Sequence, residues 1–283
     1  MNIIDRNFYR LLRSGALGTD EEIEPLSAWK WNRLFQYSQM HDVTSFVFQG
    51  LNRCRDQFFV QIPDPLLAQW EQAAHHDGGD SGDSGADDAD LGHKENDLLV
   101  ADHLTNPVLN RTLQDILDAE ESNTETRTAL LHLIGISRFI MNAGIPVKRV
   151  VELAVFLRQP EGRRVDFIQL DKYITQLRLK SMVQLTGVML VKLMKFEAAE
   201  LPFLQTMTDE QMDSMLRELL RQKNSHAEEW YFQQGKDIFV HTSNSQAMLW
   251  HVRRSAKYFR YYPAETFTNF FTSFAHSLSH IEE

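Results

Sequence analysis

Residues 75–97, HHDGGDSGDSGADDADLGHKEND, hold the densest run of chemistry-bearing side chains in the sequence. Transfer of a nucleotidyl group needs a glycine turn that lets backbone N–H groups approach a triphosphate, then two carboxylates to hold the metal that bridges the phosphates. Gly78 and Gly79, followed by Asp88-Ala89-Asp90, approximate that order. Carboxylates doing this work stand on a rigid strand, and residues 77–90 offer only alanine as an apolar side chain, so a strand there has nothing to bury. A tract of this composition does not offset its ordering entropy. The expected role is a flexible acidic tether, with Asp88 and Asp90 as metal ligands the alternative. The spacing of Asp77, Asp80 and Asp83 also fails the alternate-position pattern of a Ca²⁺ loop.

Three further constellations carry chemistry. His276 and His280 lie four apart on an expected helix and face one metal if they face any, but two ligands fall short of a site. Arg127 and His132 have the spacing of the small helical RNases known as HEPN domains, which they resemble in these two residues alone. At five residues apart on a helix they point about 140° apart, and His132 sits among Ala129, Leu130, Leu131 and Leu133, so a packed core histidine is the expected role. Arg253, Arg254, Lys257 and Arg260 line one side of WHVRRSAKYFRYY beside Tyr258 and Tyr261. This basic face is the expected binding surface, with an acidic protein as its natural partner. No catalytic residue, cofactor or bound metal is expected.

The elements that position these groups read as helices. The sequence has 283 residues, 43% of them hydrophobic, enough for one large core or two modest ones. The formal charge of -10 lies mostly in residues 77–97, which hold eight acidic residues against one lysine. The remainder is near balance, which argues against nucleic acid as the partner. Cys54, the single cysteine, allows no intrachain disulfide, and Asp5 and Arg6 interrupt any secretory apolar run, so a cytoplasmic location is expected. The apolar stretch 182–196 contains Lys192 and Lys195 and is too short to cross a bilayer, which needs about 20 apolar residues, so no membrane is expected.

Apolar residues spaced by three and four predict a first helix capped by Asp5, then helices over 27–41 and from 42, and one opened by Asp64 and Pro65. Asn106 and Pro107 open the next, and a long helix from Thr124 stops at Gly144. Further helices are predicted at 147–158, 167–177, 179–196, 209–222, 245–262 and 264–281, the 179–196 helix being apolar almost all round and so central. FFVQI at 58–62 and DIFVHT at 237–242 are β-like runs, too few for a sheet. The expectation is an all-α fold in two lobes: an N-terminal lobe at 1–74, an acidic linker at 75–97, and a C-terminal lobe at 98–283.

The stretches FYRLLRSGALG…PLSAWKWNRLFQYSQMHDVTSFVFQGL…IPDPLLAQW and LLHLIGISRFIMNAGIPVKRVVELAVFL…LPF resemble the flanking helical regions of an uncharacterised bacterial nucleotidyltransferase family of the polymerase-β type, often found in capsule and Bacteroidetes-type gene sets. Gly144, Ile145, Arg149, Glu152, Leu153, Ala154, Asp166, Leu201, Pro202 and Phe203 carry the likeness. Where that family places a catalytic sheet, this chain has the acidic stretch and one helix. The resemblance therefore implies a helical scaffold without the transfer chemistry, a non-catalytic accessory or interaction module.

Overall fold

The computed structural model describes residues 2–79, 103–119, 123–142, 144–218 and 258–279, and among them the chain is all-α, with no strand. The chain divides into two units. The first holds α1 (Ile3–Leu17), α2 (Ala28–Met40), α3 (Thr44–Arg53), α4 (Asp64–Gly79) and α7 (Val147–Arg158). The second holds α5 (Pro107–Asp118), α6 (Thr124–Asn142), α8 (Phe167–Gln176), α9 (Lys180–Met194), a helix at 209–218 (α10) and α11 (Pro263–Ser279).

In the first unit, α1 is capped by Asn2 rather than by Asp5. The Asn2 side chain accepts the Asp5 N–H at 2.9 Å, and Asp5 lies in the first turn, where a negative charge favours the helix dipole. The helix buries Phe8, Leu11 and Leu12 completely and stops at Gly18, which takes a left-handed conformation with φ 69° and returns its N–H to Ser14 O. The crossing of α1 with α3 is set by two glycines. A Cβ on Gly15 would lie 1.8 Å from Phe46 O, and one on Gly50 would lie 1.9 Å from Leu11 O, so the two backbones touch where neither residue has a side chain.

Trp31 and Leu34 on α2 and Trp70 on α4 complete this core, with the Phe35 and Trp70 rings 4.9 Å apart. His41 ends α2 against the Phe8 and Tyr37 rings. Its Nε2 is buried with no hydrogen-bond partner, and burial lowers its pKa to about 4, so the ring stays neutral in the folded unit. The helix α4 runs through Gly79, past the expected linker start at residue 75. Gly78 and Gly79 are therefore helical rather than a phosphate-gripping turn.

The sequence reading puts everything after residue 97 into one lobe, but Val147–Gln159 belongs to the first unit. The α7 helix packs on α1, and Lys148 pairs with Asp42. An apolar stripe such as Val147, Val150, Val151 and Ala154 announces a buried face without naming what covers it.

In the second unit α9 is central: residues 182–190 are buried without interruption. Its Gln184, which the pattern places in a narrow polar sector, is buried and clips the following loop, donating to Phe203 O at 2.8 Å and accepting from Gln205 N at 2.7 Å. Lys192 pairs with Asp209 and Asp213 on α10. Asn106 caps α5 through the N–H groups of Val108 and Leu109, and Asp166 caps α8 through those of Ile168 and Gln169.

A buried polar seam fastens α11. The carboxylate of Glu265, fully buried, accepts Thr105 N–H at 2.7 Å and Asn106 N–H at 2.9 Å. Asn269 donates to Asn142 at 2.6 Å, and the Tyr262 hydroxyl donates to Leu177 O at 2.9 Å. Burial and the Glu265 charge push the Tyr262 pKa up, with the buried Arg138 opposing them, so the phenol remains a donor.

Candidate functional site

A cleft of about 480 Å³ in the first unit is lined by Ser14, Asp20, Glu21, Glu22, Arg53, Cys54 and Gln57. Its walls come from the ends of two touching helices. The glycine crossing brings Ser14 of α1 beside Cys54 at the end of α3, and the Gly18 turn leads into residues 20–22, which line the cleft.

Those walls are laced together by side chains that bond to backbone. Gln57 uses both ends of its amide, donating to Glu21 O at 2.7 Å and accepting from Ile23 N at 2.9 Å. Arg53 donates to Gly18 O at 2.9 Å. Below them the buried pair Arg13 and Glu21 is bidentate, at 2.7 and 2.9 Å, and Thr19 adds a bond to the same carboxylate. At the far end of the segment Glu24 takes Arg6 at 2.8 Å and Arg10 at 2.8 Å. The hydrogen bond from Arg6 is the largest cause holding its pKa down, to about 2; burial opposes it, and the charges of Arg6 and Arg10 with a hydrogen bond from Arg10 reinforce it.

Cys54 is 3% exposed, with its sulfur 3.7 Å from both Ser14 Oγ and Glu21 O. Burial pushes the thiol pKa up; Ser14 and Arg53 oppose, and the charges of Glu21 and Asp20 reinforce the rise. The sulfur is thereby held as a protonated, weakly nucleophilic thiol.

Directly after the lining residue Gln57, at the edge of the cleft, the chain carries the most exposed large apolar pair among the described residues of the unit. Phe58 is 79% exposed and Phe59 54%, with their rings edge to face at 5.3 Å. They belong to the FFVQI run, which is a turn and not a strand: Val60 N–H bonds Gln57 O at 2.9 Å and Gln61 N–H bonds Phe59 O at 3.1 Å. Sequence reasoning missed this site because the link that fixes the turn, Gln57 to residues 21–23, spans more than thirty positions. The available signal was two adjacent aromatics shortly ahead of a helix opened by Asp64 and Pro65.

No family model, curated protein or solved structure matches this chain.

The other expected site residues are dispersed. Asp88, Asp90, Arg253, Arg254, Lys257 and His280 lie outside the described residues, and His276 falls within α11. Arg127 and His132 share α6; both are half-buried, and Arg127 donates to Leu117 O at 2.6 Å, closing the end of α5. Within the expected basic face, Tyr258 is 1% exposed and supports the core instead of lining a surface. Arg260 is exposed, pairs with Glu218 and stands over the Tyr261 ring at 4.6 Å. Among the described residues no helix is long and apolar enough to cross a membrane, and no group of three His, Cys, Asp or Glu is arranged to hold a metal.

Proposed function

We propose that this protein is a non-catalytic accessory or interaction module, a helical scaffold of the kind its resemblance to the nucleotidyltransferase-like family implies, with the cleft rim of the first unit as its working surface. The observation that carries this reading is Phe58 and Phe59. Two large rings stand in water on a turn whose backbone and side-chain bonds hold it in place. Leaving such rings exposed forgoes roughly 1.5–3 kcal/mol of burial for each, and a rigid presentation lowers the entropy lost on docking. Aromatic anchors of this kind dominate binding energy at protein interfaces. A cytoplasmic location accompanies this reading, supported by a single cysteine that is a buried free thiol.

The test places a photoreactive benzoylphenylalanine at exposed Gln61, beside the rings, in cells that natively make the protein. The expected result is a discrete adduct that disappears when Phe58 and Phe59 are both changed to Ser. An adduct that survives those changes, or none at all, contradicts the reading.

A further inference from the structure

We infer that the cleft takes the side chain of an arginine on a partner polypeptide, with an apolar or aromatic neighbour of that arginine lying on Phe58 and Phe59. The inference rests on the interaction reading and names the partner's chemistry.

The charge of the cleft selects the cation. Glu21 is matched by Arg13 in a buried bidentate pair, while Asp20 and Glu22 are exposed and no ion pair holds either among the described residues. Among the described residues Arg53 is the one cation on the lining, and it is already directed to Gly18 O. Two open carboxylates therefore face one engaged guanidinium. At the cleft floor the charges of Glu21 and Asp20 disfavour a thiolate at Cys54, against the opposing charge of Arg53.

The volume selects a side chain rather than an ion. About 480 Å³ is some sixteen times the share of one water, roughly 30 Å³, and holds a long side chain with part of its hydration. The donor set also falls short of a metal site, since no cluster of three such ligands occurs among the described residues.

The rim favours arginine over lysine. A planar guanidinium makes bidentate bonds to carboxylates and stacks on rings, which suits the lining residues Asp20 and Glu22 and the Phe58 and Phe59 rings that follow Gln57 in the chain. A flanking apolar residue of the ligand then covers aromatic area that water now wets. Gln57 joins both walls, so the carboxylates and the rings are held in one arrangement before the ligand arrives.

The experiment titrates the full chain, isotopically labelled, with two blocked tripeptides, Leu-Arg-Phe and Leu-Glu-Phe, and follows backbone amide shifts. With the arginine peptide the shifts are expected to gather at residues 20–22 and 57–59, saturating with a dissociation constant of about 1 mM. The constant rises at least tenfold, about 1.4 kcal/mol, in Asp20→Lys with Glu22→Lys, and shifts fade at high salt. The glutamate peptide leaves these amides unmoved.

Equal shifts from both peptides, or an unchanged constant in the charge-reversed variant, overturn the arginine inference. In that case shifts that vanish in Phe58→Ser with Phe59→Ser leave the interaction reading standing. No shift from either peptide up to about 10 mM, where even millimolar binding is nearly saturated, also overturns the inference. The interaction reading itself then stands or falls by the Gln61 adduct.

Discussion

Replacing Gly50 with alanine is expected to destabilise the first unit by about 3 kcal/mol in urea denaturation, even though alanine is the better helix former by about 1 kcal/mol. The new Cβ would lie 1.9 Å from Leu11 O and 2.7 Å from Leu11 C. Both atoms are backbone inside α1, so no rotamer change relieves the overlap and the helices must move apart. That movement loosens the packing of fully buried Leu11, Leu12 and Val47 and separates Ser14 from Cys54, which together shape the cleft. Gly15→Ala meets Phe46 O at 1.8 Å and carries a similar cost. Because each change forces the same separation, the double variant is expected to cost clearly less than the sum of the two. Additive losses would show that the residues act at independent places.

Glu265→Ala is expected to cost about 4 kcal/mol and Glu265→Gln about 2 kcal/mol, read by the same denaturation. The carboxylate is fully buried and accepts the N–H groups of Thr105 and Asn106, the residues that lead into the capped start of α5. Alanine leaves two half-buried donors without their acceptor and removes a negative charge from the surroundings of Tyr262, where buried Arg138 also acts. Glutamine keeps one carbonyl acceptor and the shape, so its loss is smaller. If the two variants were equally harmful, charge would be the whole effect; if both were neutral, the seam that fastens α11 would not depend on this side chain.

Much of the helical order is legible in the sequence because its signals are local. Asn106 before Pro107, Asp166 before Phe167 and glycine at 18 and 144 act within one turn of themselves, and the all-round apolar character of 182–190 follows from its own composition. What the sequence does not disclose is mostly long range, the choice of the first helix cap being the local exception. Asp5 and Asn2 both suit a cap, and only the bond from Asp5 N–H to Asn2 decides between them. The assignment of α7 to the first unit depends on which apolar stripe meets which. Gly15 and Gly50 look like ordinary helix-weakening residues until the crossing brings their backbones together. The cleft is the clearest case: Ser14, residues 20–22 and residues 53–57 carry no motif, and they meet because Gln57 and Arg53 bond backbone more than thirty residues away.

The central claim is that Phe58 and Phe59 are kept on the surface to bind and contribute little to the fold. The most direct measurement is the denaturation midpoint of the full chain with both residues changed to Ser. The account predicts stability within about 0.5 kcal/mol of the parent, as for surface substitutions away from packed features. A loss above about 2 kcal/mol, the size expected when buried apolar side chains are removed, would mean that the rings pack into the folded protein and would contradict it.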